Sequence, residues 1–429
     1  MRASQGSAFG KFGFWNLAGI SFVFLATTTI TSAAQGTLFT TLASFNGANG
    51  GNPGFGSLVR GVDGNFYGTT ADGGAHNGGT VFKITPAGEL TTLYSFCAQT
   101  NCTDGGSPAA QLVLGNDGNF YGTTSGGGEF LYYGTVFKIT PAGALTTLHS
   151  FQAYPTDGDA PVAPLVQGSD GNFYGTTELG GSGTFGTVFK ITPAGVLTTL
   201  YNFDDNAHGW SPYAGLVQGS DGNFYGTTSS GGSSPACQYP GCGTAFKITP
   251  AGELTTIFSF CAQRGCVDGW LPWAGLTQGS DGNFYGTTYR GGNSNGTAFK
   301  LTPAGVLTVL HSFCAQGGCS DGGNPYAGLT QGADGNFYGT TTIGGTLGSY
   351  GTVYKVTPQG SFTTLHSFDG TNGAEPWSGL VQAPDGTFYG TTAGGTTNPG
   401  TVFSLLAVHP CAKCGPGAED EDNGGRLEK

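Results

Sequence analysis

Positive charge is scarce in this sequence. The chain has 14 lysine and arginine residues against 26 aspartate and glutamate residues, which gives a formal net charge of −12 at pH 7. This balance argues against nucleic acid and anionic membranes as partners, because both would be repelled by an acidic surface. Neutral and cationic ligands remain open.

Long apolar runs and catalytic signatures are also missing from most of the chain. After residue 34, no stretch is long and apolar enough to cross a bilayer. There is no HExxH or P-loop motif, no GxGxxG that opens a helix, and no DxDxDG calcium-loop spacing. Enzymatic activity therefore has little support, and we expect neither a cofactor nor a bound metal.

Residues 1–34 are typical of a secretory signal peptide. They begin with positive charge, continue with an apolar stretch at 14–26, and end in small residues that suit cleavage near Ala34. A transmembrane anchor is the alternative, but the apolar stretch is short and contains Asn16 and Gly19. We expect a secreted or cell-surface monomer with no membrane span in the mature chain.

The cysteines agree with export. Eight of the ten form four pairs with four intervening residues, which suits small disulfide-closed loops in an oxidising compartment. Zinc is the alternative, but no other histidine or cysteine shares the spacing that four ligands would need. The remaining two form a CxxC in the acidic tail at 409–429, which we expect to be flexible and disulfide-bonded. The expected disulfides are Cys97–Cys102, Cys237–Cys242, Cys261–Cys266, Cys314–Cys319 and Cys411–Cys414.

One eight-residue block recurs along the chain. DGNFYGTT begins at residues 63, 117, 170, 221, 281 and 334, and DGTFYGTT begins at 385. Each copy belongs to a unit with four short runs rich in β-branched and aromatic residues, separated by Gly, Pro, Asp and Asn. In the first unit, runs a to d are 57–61, 65–70, 79–85 and 90–96. An Asp-Gly turn joins run a to run b, and TPAG joins run c to run d.

The repeats predict an all-β, seven-bladed β-propeller of four-stranded blades over residues 35–408. One such sheet cannot bury two apolar faces alone, and radial stacking of sheets would cover both. Runs a, b and c occur seven times, whereas run d follows run c only six times, and an extra d run stands at 38–45. The N-terminal strand would therefore complete the last blade. An open β-solenoid is the alternative.

The unit GLVQGSDGNFYGTT…GG…GTVFKITPAGxLTTLHSF resembles the GloVer tandem repeat of exported bacterial surface proteins. The resemblance covers about 38–406, and its specificity comes from seven near-identical copies. It implies an exported bacterial protein with propeller-like repeats, but no activity and no catalytic residues. The family is noted for varied C-terminal anchors, whereas the tail at 409–429 has no hydrophobic sorting segment.

The two faces of the predicted ring differ. Because strands alternate in direction, the a–b and c–d turns share one face, and the b–c and d–a loops share the other. The first face repeats SDGN and TPAG, whereas the second carries irregular, disulfide-closed loops of the kind that usually bind ligands. We therefore interpret DGNFYGTT as scaffold. The alternative is seven equivalent ligand sites that use Asp63, Asp117 and their equivalents.

The d–a loops share a second pattern, which ends in Pro and then Leu and should lead to the central channel. A polar residue stands four positions before the proline, and in four units an aromatic residue follows it. Aromatic rings stack on the C–H faces of sugars, while Asp and Asn accept hydroxyl hydrogen bonds. In the alternative, the Asp caps a turn and the aromatic residue plugs the channel. The predicted ligand-binding residues are Trp210, Tyr213, Trp270, Trp273, Tyr326, Trp377, Asp104, Asp157, His208, Asp268, Asp321 and Asn372.

The histidines give catalysis little support. His149, His311 and His366 share a position in run d that holds Tyr or Phe in other units, which favours packing. His76 and His208 lie in loops of the variable face and are the histidines to test.

Together these features predict an exported, non-catalytic binding or surface-interaction module. Glycans are the first expected partners, and surface proteins are the second. A structural surface protein or an adhesion module is the alternative, and a polysaccharide hydrolase or lyase comes third. Clustered acid and base groups with shifted pKa values on the variable face would favour an enzyme, whereas an aromatic platform without them would favour a binding module.

Overall fold

The computed structural model describes residues 37–152, 155, 157–204, 208–234, 236–237, 241–395 and 399–407. The predicted signal peptide, the tail at 409–429 and the Cys411–Cys414 pair lie outside the described residues. Within these ranges, no helix has the length and apolar character needed to cross a membrane.

Seven antiparallel sheets of four strands form the blades of a β-propeller, which confirms the predicted fold class. Strand a of each blade is short and lies nearest the axis. The a strands are Val59–Arg60, Val113–Leu114, Val166–Gln167, Val217–Gln218, Thr277–Gln278, Thr330–Gln331 and Val381–Gln382. The b strands are Phe66–Thr70, Phe120–Thr124, Phe173–Thr177, Phe224–Thr228, Phe284–Thr288, Phe337–Thr341 and Phe388–Thr392.

Strands c and d complete each blade. The c strands are Thr80–Ile84, Thr135–Ile139, Thr187–Ile191, Thr244–Ile248, Thr297–Leu301, Thr352–Val356 and Thr401–Ala407. The d strands of blades 1 to 6 are Leu90–Ser95, Leu145–Ser150, Leu197–Asn202, Leu254–Ser259, Leu307–Ser312 and Phe362–Ser367. Blade 3 adds the loop pair Gly158–Asp159 and Leu179–Gly180, and two short 3-10 turns span Thr100–Cys102 and Gly317–Cys319.

The first strand of the chain closes the ring. Thr37–Ser44 pairs antiparallel with Thr401–Ala407, so that Thr37 faces Ala407, and it forms strand d of blade 7. The predicted completion of the last blade by the N-terminal strand is therefore confirmed.

The aromatic pair of the repeated block joins each blade to the next. Tyr67 stacks on Phe120 of blade 2 with ring centroids 4.1 Å apart, and Tyr389 stacks on Phe66 at 4.1 Å, which joins blade 7 to blade 1. These rings are buried, and each such pair contributes about 0.5–1.5 kcal/mol beyond the burial of its area. The other pairs are Tyr121–Phe173, Tyr174–Phe224, Tyr225–Phe284, Tyr285–Phe337 and Tyr338–Phe388.

The remaining residues of the block also serve the scaffold. In blade 1, the Asp63 carboxylate accepts hydrogen bonds from the backbone and side chain of Asn65 and, at 2.9 Å, from the Tyr67 hydroxyl. A Cβ on Gly68 would lie 2.6 Å from the Phe82 ring, so this position requires glycine. The Asp63 carboxylate therefore already has partners within its own hairpin, which leaves little support for the alternative of seven ligand sites.

Two threonines end the block and make different bonds. The Thr69 hydroxyl donates to the Ala110 carbonyl of blade 2 at 2.9 Å, and so links neighbouring blades. The Thr70 and Thr80 hydroxyls lie 2.9 Å apart, and so link strands b and c of one blade. Equivalent bonds occur in every blade.

A glutamine at the end of strand a clasps the a–b turn of the preceding blade. The Gln167 side-chain oxygen accepts the Asn116 backbone N–H at 2.9 Å. Where blade 7 meets blade 1, the turn residue is Pro384, which has no N–H, and Arg60 replaces the glutamine. Leu114 replaces it in blade 2, so both interfaces of blade 1 lack the clasp. The other four clasps are Gln218–Ser169, Gln278–Ser220, Gln331–Ser280 and Gln382–Ala333.

Tyr354 is an exception in the core. Six blades place phenylalanine at this position of strand c, whereas blade 6 places a fully buried tyrosine whose hydroxyl has no hydrogen-bond partner among the described residues. We expect Tyr354→Phe to raise the free energy of unfolding by about 1–2 kcal/mol, because it removes an unsatisfied buried hydroxyl. Equilibrium urea denaturation with the disulfides intact would measure this change.

The matched control reverses the exchange in blade 5. Phe299→Tyr should lower stability by a similar amount, because Phe299 is also fully buried. If Tyr354→Phe left stability unchanged or lower, the hydroxyl would have a partner, such as a buried water.

Candidate binding funnel

A left-handed residue before each loop proline sets the geometry of the loop face. In blade 4, the Ser211 N–H donates to the Phe185 carbonyl of blade 3, and the Ser211 carbonyl accepts the Ser229 N–H of its own blade. This residue therefore fastens each d–a loop to two b–c loops and fixes the side chains that follow it. The seven equivalents, with φ between 52° and 56°, are Asn52, Ser107, Ala160, Ser211, Leu271, Asn324 and Glu375.

Five aromatic side chains from five consecutive blades meet at the axis, and we call this set the aromatic arc. It consists of Tyr213, Trp273, Tyr326, Trp377 and Phe55, from blades 4, 5, 6, 7 and 1. Successive ring centroids lie 6.3, 5.3, 5.4 and 4.7 Å apart. All five side chains are partly exposed. The structure thus brings together the four predicted aromatic residues that follow a loop proline.

The aromatic arc separates two cavities. Its five residues line a funnel of about 540 Å³ that opens among the loops, and they also line a central channel of about 420 Å³. The arc is therefore both the floor of the funnel and the roof of the channel. The same residues thus fit the predicted aromatic platform and the alternative in which aromatic residues plug the channel. Strands a lie beside the channel, as expected; the lining includes Val59, Val113, Val166, Val217, Thr277 and Thr330.

Hydrogen bonding and stacking hold the arc in place. The Tyr326 hydroxyl donates to the Tyr213 hydroxyl at 2.8 Å, which ties blade 6 to blade 4. Trp273 stacks on Tyr289 with ring centroids 4.2 Å apart, and the Arg290 guanidinium lies 4.7 Å from the Tyr289 ring centroid. Burial raises the pKa of both hydroxyls in the tyrosine pair, so they stay neutral.

Two glutamates complete the wall of the funnel. Glu178 directly follows strand b of blade 3 and is partly buried, and Glu375 is the exposed left-handed residue of blade 7. Burial raises the pKa of Glu178, against a weak hydrogen bond from Ser211 at 3.4 Å, and the nearby Asp159 raises it further. Burial also raises the pKa of Asp159. Among the described residues that line the funnel, none is histidine, lysine or arginine.

Trp210 and Trp270 lie on the loop face but do not line the funnel. Trp210 packs edge-on against Phe185 with ring centroids 5.6 Å apart, and its backbone pairs with Ser230. Trp270 pairs with Arg290 in the same way and packs against a buried cluster that includes the blade 4 disulfides. Both tryptophans cover loop interfaces and lie outside the aromatic arc.

The predicted loop aspartates face the interior of their own loops. Asp104 is fully buried, and its carboxylate accepts hydrogen bonds from the Tyr94 hydroxyl at 2.8 Å and from the backbone N–H groups of Ala98 and Gln99. This is the alternative in which the carboxylate caps a turn. Asp157, Asp268 and Asp321 are buried in equivalent places.

The three histidines of strand d join these loop networks. His149 lies 2.6 Å from the Asp157 carboxylate, and His311 lies 3.0 Å from Asp321. His366 of blade 6 has an amide partner instead, because its ring lies 3.3 Å from the Asn372 side chain in the loop that leads to blade 7. The histidines thus fasten strand d to its loop, as the packing interpretation suggested.

The two histidines singled out for catalysis lie away from the funnel. His208 bonds to the Thr256 hydroxyl at 3.0 Å and lines a separate groove on blade 4. His76 is exposed in the b–c loop of blade 1. Neither histidine lines the funnel.

The structure contains the four predicted disulfides within the described residues. Three close d–a loops. The fourth, Cys237–Cys242, lies beside Cys261–Cys266, so that the sulfur atoms of Cys237, Cys242 and Cys261 fall within 4.8 Å of one another. The spacing of the cysteines did not indicate this convergence. As disulfides these sulfurs offer no thiolate ligand.

Sequence reasoning missed seven of the residues that line the funnel, which are Phe55, Glu178, Ser229, Tyr289, Thr342, Ile343 and Glu375. Phe55 lies three positions before Leu58, as Trp273 does before Leu276, but an extra residue after the proline obscured it. Glu178 and Tyr289 directly follow the repeated block, where each unit first becomes variable. Alignment of the units at the leucine and at the end of the block would have found these three. Glu375 stands directly before its proline, at a position whose left-handed backbone the sequence did not reveal.

The sequence profile described as the Gloeobacter/Verrucomicrobia repeat matches residues 23–239 and 237–409. The chain belongs to this repeat family. The predicted GloVer resemblance is therefore confirmed. No curated protein matches the chain.

Two solved structures show the same fold at low sequence identity. One is the extracellular domain of a protein described as a one component system, BT4673 from B. thetaiotaomicron, with a TM-score of 0.55 and 14% identity over 88% of this chain and 42% of that chain. The other belongs to a hybrid two component system, BT3049 from the same species, with a TM-score of 0.53 and 14% identity over 86% and 41%. This chain thus spans about two fifths of their length.

His366 predicts a pH dependence of stability. Burial lowers its pKa from 6.5 to about 4, although Asp369 opposes the shift. Below pH 6.5 the unfolded chain takes up this proton more readily than the folded chain, so stability falls as the pH drops toward 4. We expect His366→Phe to reduce that loss by roughly 1–2 kcal/mol, and urea denaturation at about pH 7.5 and about pH 4.5 would measure it.

Phenylalanine is a tolerated residue at this position, because Phe258 occupies it in blade 4. His76→Gln is the control, since it removes an exposed histidine from a loop. An equal loss of stability in His366→Phe and in the wild type would contradict the assignment.

Proposed function

We propose that the protein is an exported, non-catalytic binding module that recognises carbohydrate in the funnel. The aromatic arc carries this proposal, because five partly exposed rings from consecutive blades form one continuous platform. Flat C–H faces of sugars stack on such rings, and the surface is too regular to be explained as scattered exposed residues.

The wall of the funnel complements its floor. Ser229 and Thr342 offer hydroxyls, and Glu178 and Glu375 offer carboxylates, to the hydroxyl groups of a sugar above the rings. A cavity of about 540 Å³ has the size of a site for one or a few sugar units. Rigid placement supports affinity, because the loops are fastened before a ligand arrives.

Several features support export. The disulfides suit an oxidising compartment, and the two similar folds come from domains described as extracellular. Because those domains belong to proteins described as one component and hybrid two component systems, recognition of an extracellular ligand is the functional class that we propose for this chain.

A polysaccharide hydrolase is the second candidate, and one observation favours it. The raised pKa of Glu178 beside Asp159 suits a general acid, which is one half of the machinery of glycoside hydrolysis. Glu375 of the funnel wall would be the other carboxylate. It comes from blade 7, whereas Glu178 comes from blade 3. Incubation of the protein with a bound glycan would decide this, since new reducing ends appear only if the chain is cut.

Removing two rings of the arc should abolish most of the binding. We expect the Trp273→Ala/Trp377→Ala double variant to bind glycans from a broad polysaccharide panel at least about tenfold more weakly than the wild type, because each ring contributes about 0.5–1.5 kcal/mol. Isothermal titration calorimetry would measure the affinity, and circular dichroism would verify the fold.

Tyr132→Ala is the matched control. It removes an aromatic ring that is 75% exposed in the b–c loop of blade 2, on the same face but outside the funnel, and it should bind as the wild type does. Absence of glycan binding by the folded wild type would refute the proposal, and adhesion to proteins or a structural surface role would then be favoured.

A further inference from the structure

The described lysines lie on the turn face of the ring, whereas Arg264 and Arg290 are the described cations of the loop face. The lysines among the described residues lie on strand c beside the aspartates of the a–b turns, and the Lys138–Asp117 and Lys247–Asp221 pairs are 2.9 and 3.0 Å long. The funnel on the opposite face has only acidic ionised side chains in its described lining. A ligand that enters the funnel therefore meets negative charge, while Arg290 lies against the Tyr289 ring outside the lining.

The two funnel glutamates lack a cationic partner. Among the described residues, no salt bridge involves Glu178 or Glu375. Arg290 does not line the funnel, because its guanidinium covers Tyr289 and donates to the Asn324 side chain at 3.4 Å. A partly buried carboxylate without a cation is unfavourable, and an incoming positive charge would relieve this cost.

The rings beneath the glutamates also attract positive charge. The faces of tryptophan and tyrosine carry partial negative charge, and ammonium groups bind over them. The Glu178 carboxylate lies close to the tyrosine pair of the arc. Burial is the largest cause that raises the pKa of Tyr213 and Tyr326, and the negative charge of Glu178 raises both pKa values further. The carboxylate and the aromatic rings therefore attract positive charge to the same part of the funnel.

We propose that the funnel binds carbohydrate whose sugar units carry free ammonium groups, with ring faces on the aromatic arc and ammonium groups at Glu178 and Glu375. This inference rests on the proposed carbohydrate-binding function and names its ligand class as amino sugar chains. Neutral sugars satisfy the arc but leave both carboxylates without a cation, and acidic sugars would be repelled by them.

The test compares two ligands that differ in charge. Calorimetry on the full chain at about pH 6.5 would use the glucosamine tetramer, which carries ammonium groups, and the neutral N-acetylglucosamine tetramer. We expect the wild type to bind the amino tetramer at least about tenfold more tightly, because charge-assisted contacts are about twice as strong as neutral ones. Added salt should weaken binding of the amino tetramer more than that of the acetylated one.

The matched variants remove charge and keep shape. In Glu178→Gln/Glu375→Gln, affinity for the amino tetramer should fall to within about twofold of the acetylated tetramer, whose own binding should persist. Glu375→Gln alone changes an exposed side chain and guards against a folding defect in the double variant. Glu129→Gln is the control, because Glu129 is exposed on the same face but lies outside the funnel.

The outcomes separate the two proposals. Equal binding of both tetramers by the wild type, with loss of both in Trp273→Ala/Trp377→Ala, would overturn the amino sugar inference and leave carbohydrate binding supported. A preference for the amino tetramer that survives Glu178→Gln/Glu375→Gln would also overturn it. Failure of the folded wild type to bind either tetramer or any other glycan would overturn both proposals.

Discussion

The stacking of a tyrosine from one blade on a phenylalanine from the next is the contact on which the rest of the structure depends. It occurs at all seven interfaces, with ring centroids 3.7 to 4.1 Å apart. No blade can cover its own apolar faces, so each interface serves two neighbours at once. The pair Tyr389–Phe66 must have the same geometry as the others, because the last blade has to meet the first. This circular condition explains why the repeated block varies so little.

A uniform scaffold leaves the loops to carry individuality. The left-handed residue before each proline fastens the loops through backbone hydrogen bonds that any residue can make, so the side chain can differ between blades. Blades 4 to 7 and blade 1 carry aromatic residues shortly after it, whereas blades 2 and 3 carry Ala109 and Val162 at the corresponding position. The funnel is therefore asymmetric although the ring that supports it is regular, and its acidic wall is set against an aromatic floor.

Most of the fold could be predicted from the sequence, because strand composition, turn residues and the displaced first strand all indicated one closed ring. The site was predicted less completely. Trp273 and Trp270 stand three residues apart in one loop, yet one lines the funnel and the other covers a loop interface. The sequence around Asp104 would be the same whether its carboxylate caps a turn or faces a ligand. Only the burial of Asp104 in the structure distinguishes these two roles. Glu178 had no distinguishing neighbours in the sequence, since Ser211 and Asp159 come from other loops.

The glutamine clasp described above has a consequence for how the ring comes apart. Five interfaces have it, and the two that flank blade 1 do not, because Pro384, Arg60 and Leu114 interrupt the series. Blade 1 is thus the segment with the fewest polar ties to its neighbours on the turn face, and the ring has a seam there. The first and last described strands of the chain pair in blade 7, next to this seam. Amide hydrogen exchange by partial opening would start at the seam and spread in both directions, and a circular permutant with its ends in blade 4 would move the chain break without moving the seam.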